Sequence, residues 1–185
     1  PWSFEDERGS HVRASGERAE SASGEDLVDG RYRIREPLGR GGMGAVLRAD
    51  DVFLQRSVAL KIVDAVGGEQ AFEAFKKEAR ALARIRHDNV VQIYEFGAHR
   101  GAFYFAMEDV EGRDLATWID EESARGRTLS IRRALLILRD VARGLDAVHA
   151  RGVVHRDVKP GNVVIEAETG RPVLIDFGLA RRARA

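Results

Sequence analysis

An α+β fold in two unequal parts is what the sequence predicts, on three observations. Short apolar runs dominate up to residue 107, one helical period interrupts them, and longer helical periods take over afterwards. The first two runs, residues 31–38 and 45–49, flank the turn Gly39-Arg40-Gly41-Gly42-Met43-Gly44, and residues 57–63 make a third strand. There a period of two puts Ala59, Lys61 and Val63 on one face and Val58, Leu60 and Ile62 on the other. Residues 69–86 follow a helical period carried by Phe72, Phe75, Ala79 and Leu82. Residues 90–96 and 102–107 add two strands around the turn at 97–101, for five in all. A short helix near Leu115, Trp118 and Ile119 is followed by a long one over 131–150. Ser130 is its expected N-cap, Gly152 lies just past its end, and its apolar stripe is Ile131, Leu135, Leu138, Ala142, Leu145 and Val148. Short strands at 153–154, 163–165 and 173–175 close the chain.

Composition narrows the function classes. The 185 residues are 44% hydrophobic and 32% charged, enough for one core or two small lobes. Thirty bases balance thirty acids, so the overall field gives no reason to expect nucleic acid or an anionic membrane as partner. With no cysteine, disulfides, thiolate zinc sites, iron-sulfur clusters and cysteine nucleophiles drop out, and a reducing cytoplasm is compatible. The longest aliphatic run, residues 134–138, is far too short to cross a bilayer. A start at Pro1 rather than Met suggests a piece of something longer. Residues 1–30 hold eight acids (Glu5, Asp6, Glu7, Glu17, Glu20, Glu25, Asp26, Asp29) against Arg8, Arg13 and Arg18, and the expectation is a disordered acidic leader over 1–29.

Four signals carry chemistry. Gly39-x-Gly41-x-x-Gly44, followed by Val46, lets backbone N–H groups approach phosphate oxygens, although a tight hairpin reads the same way in isolation. A dinucleotide fold needs a helix directly after such glycines, and here a strand continues, which suits a flap over a nucleotide. Lys61 lies within the apolar strand Val58-Ala59-Leu60-Lys61 in a chain with only four lysines. An edge lysine reaching for water is one reading, a point charge for phosphates beneath a flap the other. Glu78 sits on the apolar ridge of the next helix with Ala74 and Leu82 at i−4 and i+4, so either it is solvated at the shoulder or its partner comes from elsewhere, Lys61 being the candidate. The fourth signal is His155-Arg156-Asp157-Val158-Lys159-Pro160-Gly161-Asn162, then Asp176-Phe177-Gly178. Asp157 can accept a hydroxyl proton, Lys159 can steady a phosphoryl group, and Asn162 and Asp176 offer the hard oxygens magnesium favours.

In this order, the elements over about residues 30–182 resemble a protein kinase of the serine/threonine type, close to the bacterial eukaryotic-like (Hanks-type) kinases. The resemblance implies a bilobal fold, with an antiparallel five-stranded N-lobe over 30–108 and a partial, mainly helical C-lobe over 109–185. It implies that Gly39, Gly41, Gly42, Gly44 and Val46 cover ATP, that Lys61 pairs with Glu78 and holds the α and β phosphates, and that Asp157 is the catalytic base aided by Lys159. Asn162 and Asp176 would hold magnesium, with manganese as the alternative. Met107 would be the gatekeeper, with the backbone of Glu108 and Val110 facing adenine. Leu38, Val46, Ala59 and Val164 would sandwich the base, and Asp114 would meet the ribose. Leu82, Ile93, His155 and Phe177 would form a hydrophobic spine between the lobes.

Departures from the family pattern are Val158 for the usual Leu and Gly161 for the frequent Glu. The Lys159-Pro160 pair favours Ser/Thr over Tyr acceptors, and Arg156 resembles kinases whose activation loop is ordered by phosphorylation. Implied partners are ATP and proteins presenting Ser or Thr, autophosphorylation included. The chain ends nine residues after Asp176, before most of the activation loop. The expectation is therefore an active parent kinase and a chain that alone is at best a nucleotide binder, the 131–150 helix exposing apolar surface. A pseudokinase-like binding module and a small-molecule phosphotransferase are the other readings.

Overall fold

A computed structural model of the chain describes residues 27–41, 44–64 and 68–177. Most of the acidic leader, Gly42 and everything after Phe177 lie outside the described residues. In order, the upper part comprises β1 (Leu27–Val28), β2 (Tyr32–Gly41), β3 (Gly44–Asp51), β4 (Arg56–Asp64), α1 (Gly68–Ala83), β5 (Ile93–His99) and β6 (Ala102–Glu108). The six strands form one antiparallel sheet in the order β1-β2-β3-β4-β6-β5.

The sixth strand corrects the expected five. Leu27 and Val28, assigned by sequence to the leader, pair with Arg33 and Tyr32. The turn between them works because Asp29 and Gly30 both take positive φ, 54° and 67°, the conformation that an Asp-Gly pair supplies most cheaply. Asp29 also closes the sheet on itself, its N–H donating to His99 Nδ1 (3.1 Å) and its carboxylate accepting from Tyr104 Oη (2.5 Å). A two-residue strand has no period to read, so only its long-range partners reveal it.

The period of two in β4 holds, and both faces are buried. Ala59 packs with Ala79 and Leu82 of α1 and with Phe103, Phe105 and Met107. Val58 and Leu60 pack with Val28, Tyr32, Ala49, Tyr104 and Ala106 on the opposite side.

The lower part comprises β7 (Gly112–Asp114), α2 (Leu115–Ala124), α3 (Ile131–His149), a single 3₁₀ turn (Pro160–Asn162), β8 (Val163–Glu166) and β9 (Pro172–Leu174). A small antiparallel sheet runs β7-β8-β9. β7 is an element the sequence does not announce, and the strand expected at 153–154 is irregular chain. Ser130 does cap α3, its hydroxyl accepting from Arg133 N–H at 3.3 Å. The buried stripe of α3 is Ile137, Val141, Gly144 and Val148. Most of the stripe expected from sequence faces outward instead: Ile131, Leu135 and Leu138 are 79%, 60% and 62% exposed, and only Val148 is common to both. The helix carries apolar residues on two sides, and periodicity cannot say which one meets the sheet. Among the described residues, no helix is long and apolar enough to cross a membrane.

One core spans both parts, because Val148, Val153, Val173 and Phe177 join the cluster that holds Leu82 and Ile93. The loop between α1 and β5 is stitched to β9: Val91 N–H donates to Leu174 O, Leu174 N–H to Asn89 O (both 2.9 Å), and Asn89 Nδ2 to Pro172 O (2.8 Å). α3 approaches this loop so closely that a Cβ on Gly144 would stand 2.8 Å from Asn89 O.

Candidate active site

The segment from His155 to Asn162 is held in shape by its own polar groups. His155 is 1% exposed, and burial lowers the imidazole's pKa. Nδ1 accepts from Asp157 N–H (3.4 Å), which leaves Nε2–H to donate to Ile175 O (3.0 Å). The neutral ring thus ties the 155–162 segment to the strand-end that carries Asp176, and it packs against Phe177 with centroids 4.7 Å apart. Arg156 and Asp176 both adopt left-handed backbone, φ 64° and 57°. Each such non-glycine residue costs roughly 1–3 kcal/mol and persists only where its surroundings impose it, a pattern typical of functional sites.

Asp157, Lys159 and Asn162 form one cluster. Lys159 Nζ donates to Asp157 Oδ2 at 2.8 Å, and Asn162 Nδ2 donates to the same oxygen at 3.0 Å and to Asp157 O at 2.7 Å. Pro160 opens the 3₁₀ turn that brings Asn162 back beneath Asp157, with Asn162 N–H donating to Lys159 O (2.9 Å). Ile175 N–H donates to Asn162 O at 2.9 Å, which sets Asp176 beside it.

From the upper sheet comes Lys61, 6% exposed, whose Nζ forms an ion pair with Asp176 Oδ1. Burial pulls the Lys61 ammonium down to about 8; Asp157 pulls it back up and Lys159 pushes it further down, so all three charges share one site. The Glu78 side chain lies outside the described residues; the partner the structure describes for Lys61 is Asp176.

The residues assigned to the nucleotide line the strands above. Val46 pairs with Lys61 across β3 and β4, and Ala59 with Met107 across β4 and β6. Val46 and Val110 pack against the cluster holding Ala59 and Met107. Leu38 is 42% exposed, next to Gly39, which pairs with Val46. Gly44 must be glycine for the fold itself, since φ is +132° and a Cβ would fall 2.0 Å from Ile62 O. At Gly39 a Cβ would meet nothing within 4 Å, so packing does not demand that glycine.

Two of the assigned residues have side chains bonded within the protein. Asp114 pairs with Val164 across β7 and β8, and its carboxylate caps α2, Oδ1 accepting from Thr117 N–H (2.9 Å) and Oδ2 from Thr117 Oγ1 (2.7 Å). Desolvation raises that carboxyl, but the Thr117 bonds outweigh it and leave the pKa below its ordinary value. The Glu108 side chain turns to Arg171, whose Nη2 donates at 3.2 Å. Sequence reasoning does not single out Arg171 or Asn89; the polar run His87-Asp88-Asn89 between two apolar segments is the signal from which the second could have been found.

The donor set fits a hard divalent cation only in part. Asn162 and Asp176 are adjacent, yet no cluster of three or more His, Cys, Asp or Glu side chains exists among the described residues. A magnesium ion takes only one or two protein oxygens and completes its shell with water and substrate phosphates, so Asn162 and Asp176 could supply the protein share of one.

Lys61 is thus buried in the strand that pairs with the second arm of the glycine-containing β2–β3 hairpin, and Asp157 and Lys159 of the lower part lie within electrostatic reach of it. Residues 32–185 match the protein kinase domain, and the chain belongs to that family. It is 41% identical to the serine/threonine-protein kinase PksC of Streptomyces coelicolor over 161 residues, covering 84% of this chain and 29% of that protein. Identity to the serine/threonine-protein kinase PknE of Mycobacterium tuberculosis is 38%, covering 88% and 28%, and to pkn2 of Myxococcus xanthus 40%, covering 84% and 19%. The crystal structure of the M. tuberculosis PknI kinase domain superposes with a TM-score of 0.73 at 28% identity, covering 86% of this chain and 64% of that one. The chain thus spans under a third of these curated relatives and just under two thirds of the solved domain.

Proposed function

We propose that this chain carries the ATP site and catalytic loop of a serine/threonine protein kinase, one that moves the γ-phosphoryl group of magnesium ATP to Ser or Thr hydroxyls of proteins. The observation that supports it most is the convergence of Lys61 from β4 with Asp157, Lys159, Asn162 and Asp176 from the lower part. Asn162 and Asp176 would hold a magnesium ion, which would supply charge neutralisation for the phosphates. Lys61 holds the α and β phosphates, and Gly39, Gly41, Gly42 and Gly44 let backbone N–H groups close over them. The backbone of Glu108 and Val110 reads adenine beside Met107. Asp157, oriented by Asn162, takes the proton of the acceptor hydroxyl as its oxygen bonds to the γ phosphorus and the bond to the ADP oxygen breaks. Lys159 offsets the charge on the transferring group. A cytoplasmic site, where ATP is abundant and cysteine-free chains are unremarkable, follows from this reading.

Thermal unfolding with and without ATP, in magnesium and in EDTA, tests it. Ligand at a hundred times its Kd adds about 2.7 kcal/mol to native stability, so a magnesium-dependent rise in Tm is expected. A cooperative transition that ignores ATP overturns the reading. Transfer to a Ser/Thr protein acceptor, followed by mass spectrometry in a protein containing this chain, then separates a kinase from a nucleotide-binding module.

A further inference from the structure

The segment that joins the two parts carries consecutive carboxylates, Glu108 and Asp109, and the structure holds each with an arginine from a different part. Asp109 Oδ2 accepts from Arg48 Nε of β3 (2.8 Å) and from Ser57 Oγ (2.7 Å) of the upper sheet. Glu108 turns the other way. Its Oε1 accepts from Arg171 Nη2 (3.2 Å) and its Oε2 from Gln92 N–H (3.2 Å). Arg171 sits at the foot of β9, and its other donors reach Glu166 (Nη2 to Oε1, 2.8 Å; Nε to Oε2, 3.2 Å) and, through Nη1, the carbonyl of Asp88. One guanidinium therefore bridges three segments: the end of β6, the loop after α1, and the β8–β9 hairpin. The side chains are well covered, with Arg171, Glu108 and Glu166 at 27%, 26% and 20% exposure. A planar five-donor fork suits this geometry in a way an ammonium does not.

We infer that Arg171 is a positioning residue for the nucleotide: by gripping Glu108 it fixes the backbone of residues 108–110 in the register that presents Glu108 and Val110 to the base. The inference rests on the adenine assignment made above. Strand alternation explains why one segment needs two pins. Neighbouring side chains leave on opposite sides, so Arg48 reaches Asp109 from the upper sheet while Arg171 reaches Glu108 from the lower part.

Four variants and two readouts test this in a protein containing this chain. Arg171→Ala is expected to weaken ATP binding about tenfold, the loss of one charge-assisted contact, seen as a raised KM for ATP with kcat at saturating ATP nearly unchanged. Arg171→Lys recovers only part of that loss. Glu108→Gln lowers affinity in the same direction, and the double variant Arg171→Ala/Glu108→Gln is no worse than Arg171→Ala alone, because the two share one contact. Amide hydrogen exchange without ATP supplies the second readout, with residues 109–111 exchanging faster in Arg171→Ala while β4 and β6 keep their protection. Unchanged KM and exchange, or fully additive effects of the two substitutions, overturn the inference. If the wild-type protein fails to bind ATP, the proposed function fails. The exchange experiment still decides whether Arg171 holds the connecting segment.

Discussion

β4 in the upper sheet is covered on both faces, Ala59 by α1 and Leu60 by Tyr32 and Tyr104, whereas α3, the longest element of the lower part, is covered on one. Its Ile131, Leu135 and Leu138 face solvent while Ile137 and Val141 pack against Val163 and Leu174. The chemistry divides along the same line. Above, one desolvated cation, Lys61, stands in an apolar strand; below, Asp157, Lys159 and Asn162 stabilise one another through short polar contacts in a half-exposed loop. The upper half thus draws its precision from a closed core, and the lower half from a local hydrogen-bond network anchored by a buried histidine.

The sharpest way to break that division is Asp157→Asn. Loss of a general base costs about 10²–10⁴ in transfer rate, and ATP-induced stabilisation should survive. Disappearance of ATP binding with it would show that the lower loop holds nucleotide as well. Next in size is a pair of core tests by urea denaturation: Leu60→Ala should cost about 2–5 kcal/mol, and Leu138→Ala about 0.5 kcal/mol or less. Similar costs would mean that the outer face of α3 is covered in the folded protein. A cap test is smaller still, Ser130→Ala destabilising α3 by about 1 kcal/mol in the same assay.

The pH dependence of Lys61 sharpens the upper half of the comparison. Its folded pKa, about 8, lies below the 10.5 of a free lysine, so the unfolded chain binds more protons between those values. Burying the charged form therefore costs stability below pH 8, and rising pH removes that cost progressively up to about 10.5. On the proposed function, ATP responds in the opposite sense, because its phosphates would lose their ammonium partner as pH rises through about 8. The ATP-induced Tm shift should shrink between pH 7 and 9 in the wild type and show no such step in Lys61→Met. A step that persists in Lys61→Met would assign the titration to another group.

Legibility from sequence followed the range of the interactions. The faces of β4, the Ser130 cap, and the residues from His155 to Asn162 were readable because a strand period, a helix cap and a tight turn are local events. The pairing of Glu108 with Arg171 was not readable, since that contact joins residues 63 apart. β1 and β7 were illegible for the same reason: two and three residues carry no period, and their strand character exists only through Tyr32, Arg33 and the β8 residues they pair with.

What the sequence determined by itself was chemical identity: which side chains can hold phosphate, accept a proton or offer oxygen to a cation, and in what order they occur. The tertiary structure decided their company. It set Lys61 against Asp176, turned Asp114 onto Thr117 as a helix cap, and chose which apolar side of α3 to bury. The physical reason is that side-chain chemistry and short-range backbone preference are fixed by neighbours in the chain, whereas burial and charge pairing depend on which distant surfaces meet, and those are set by the packing of the whole core at once.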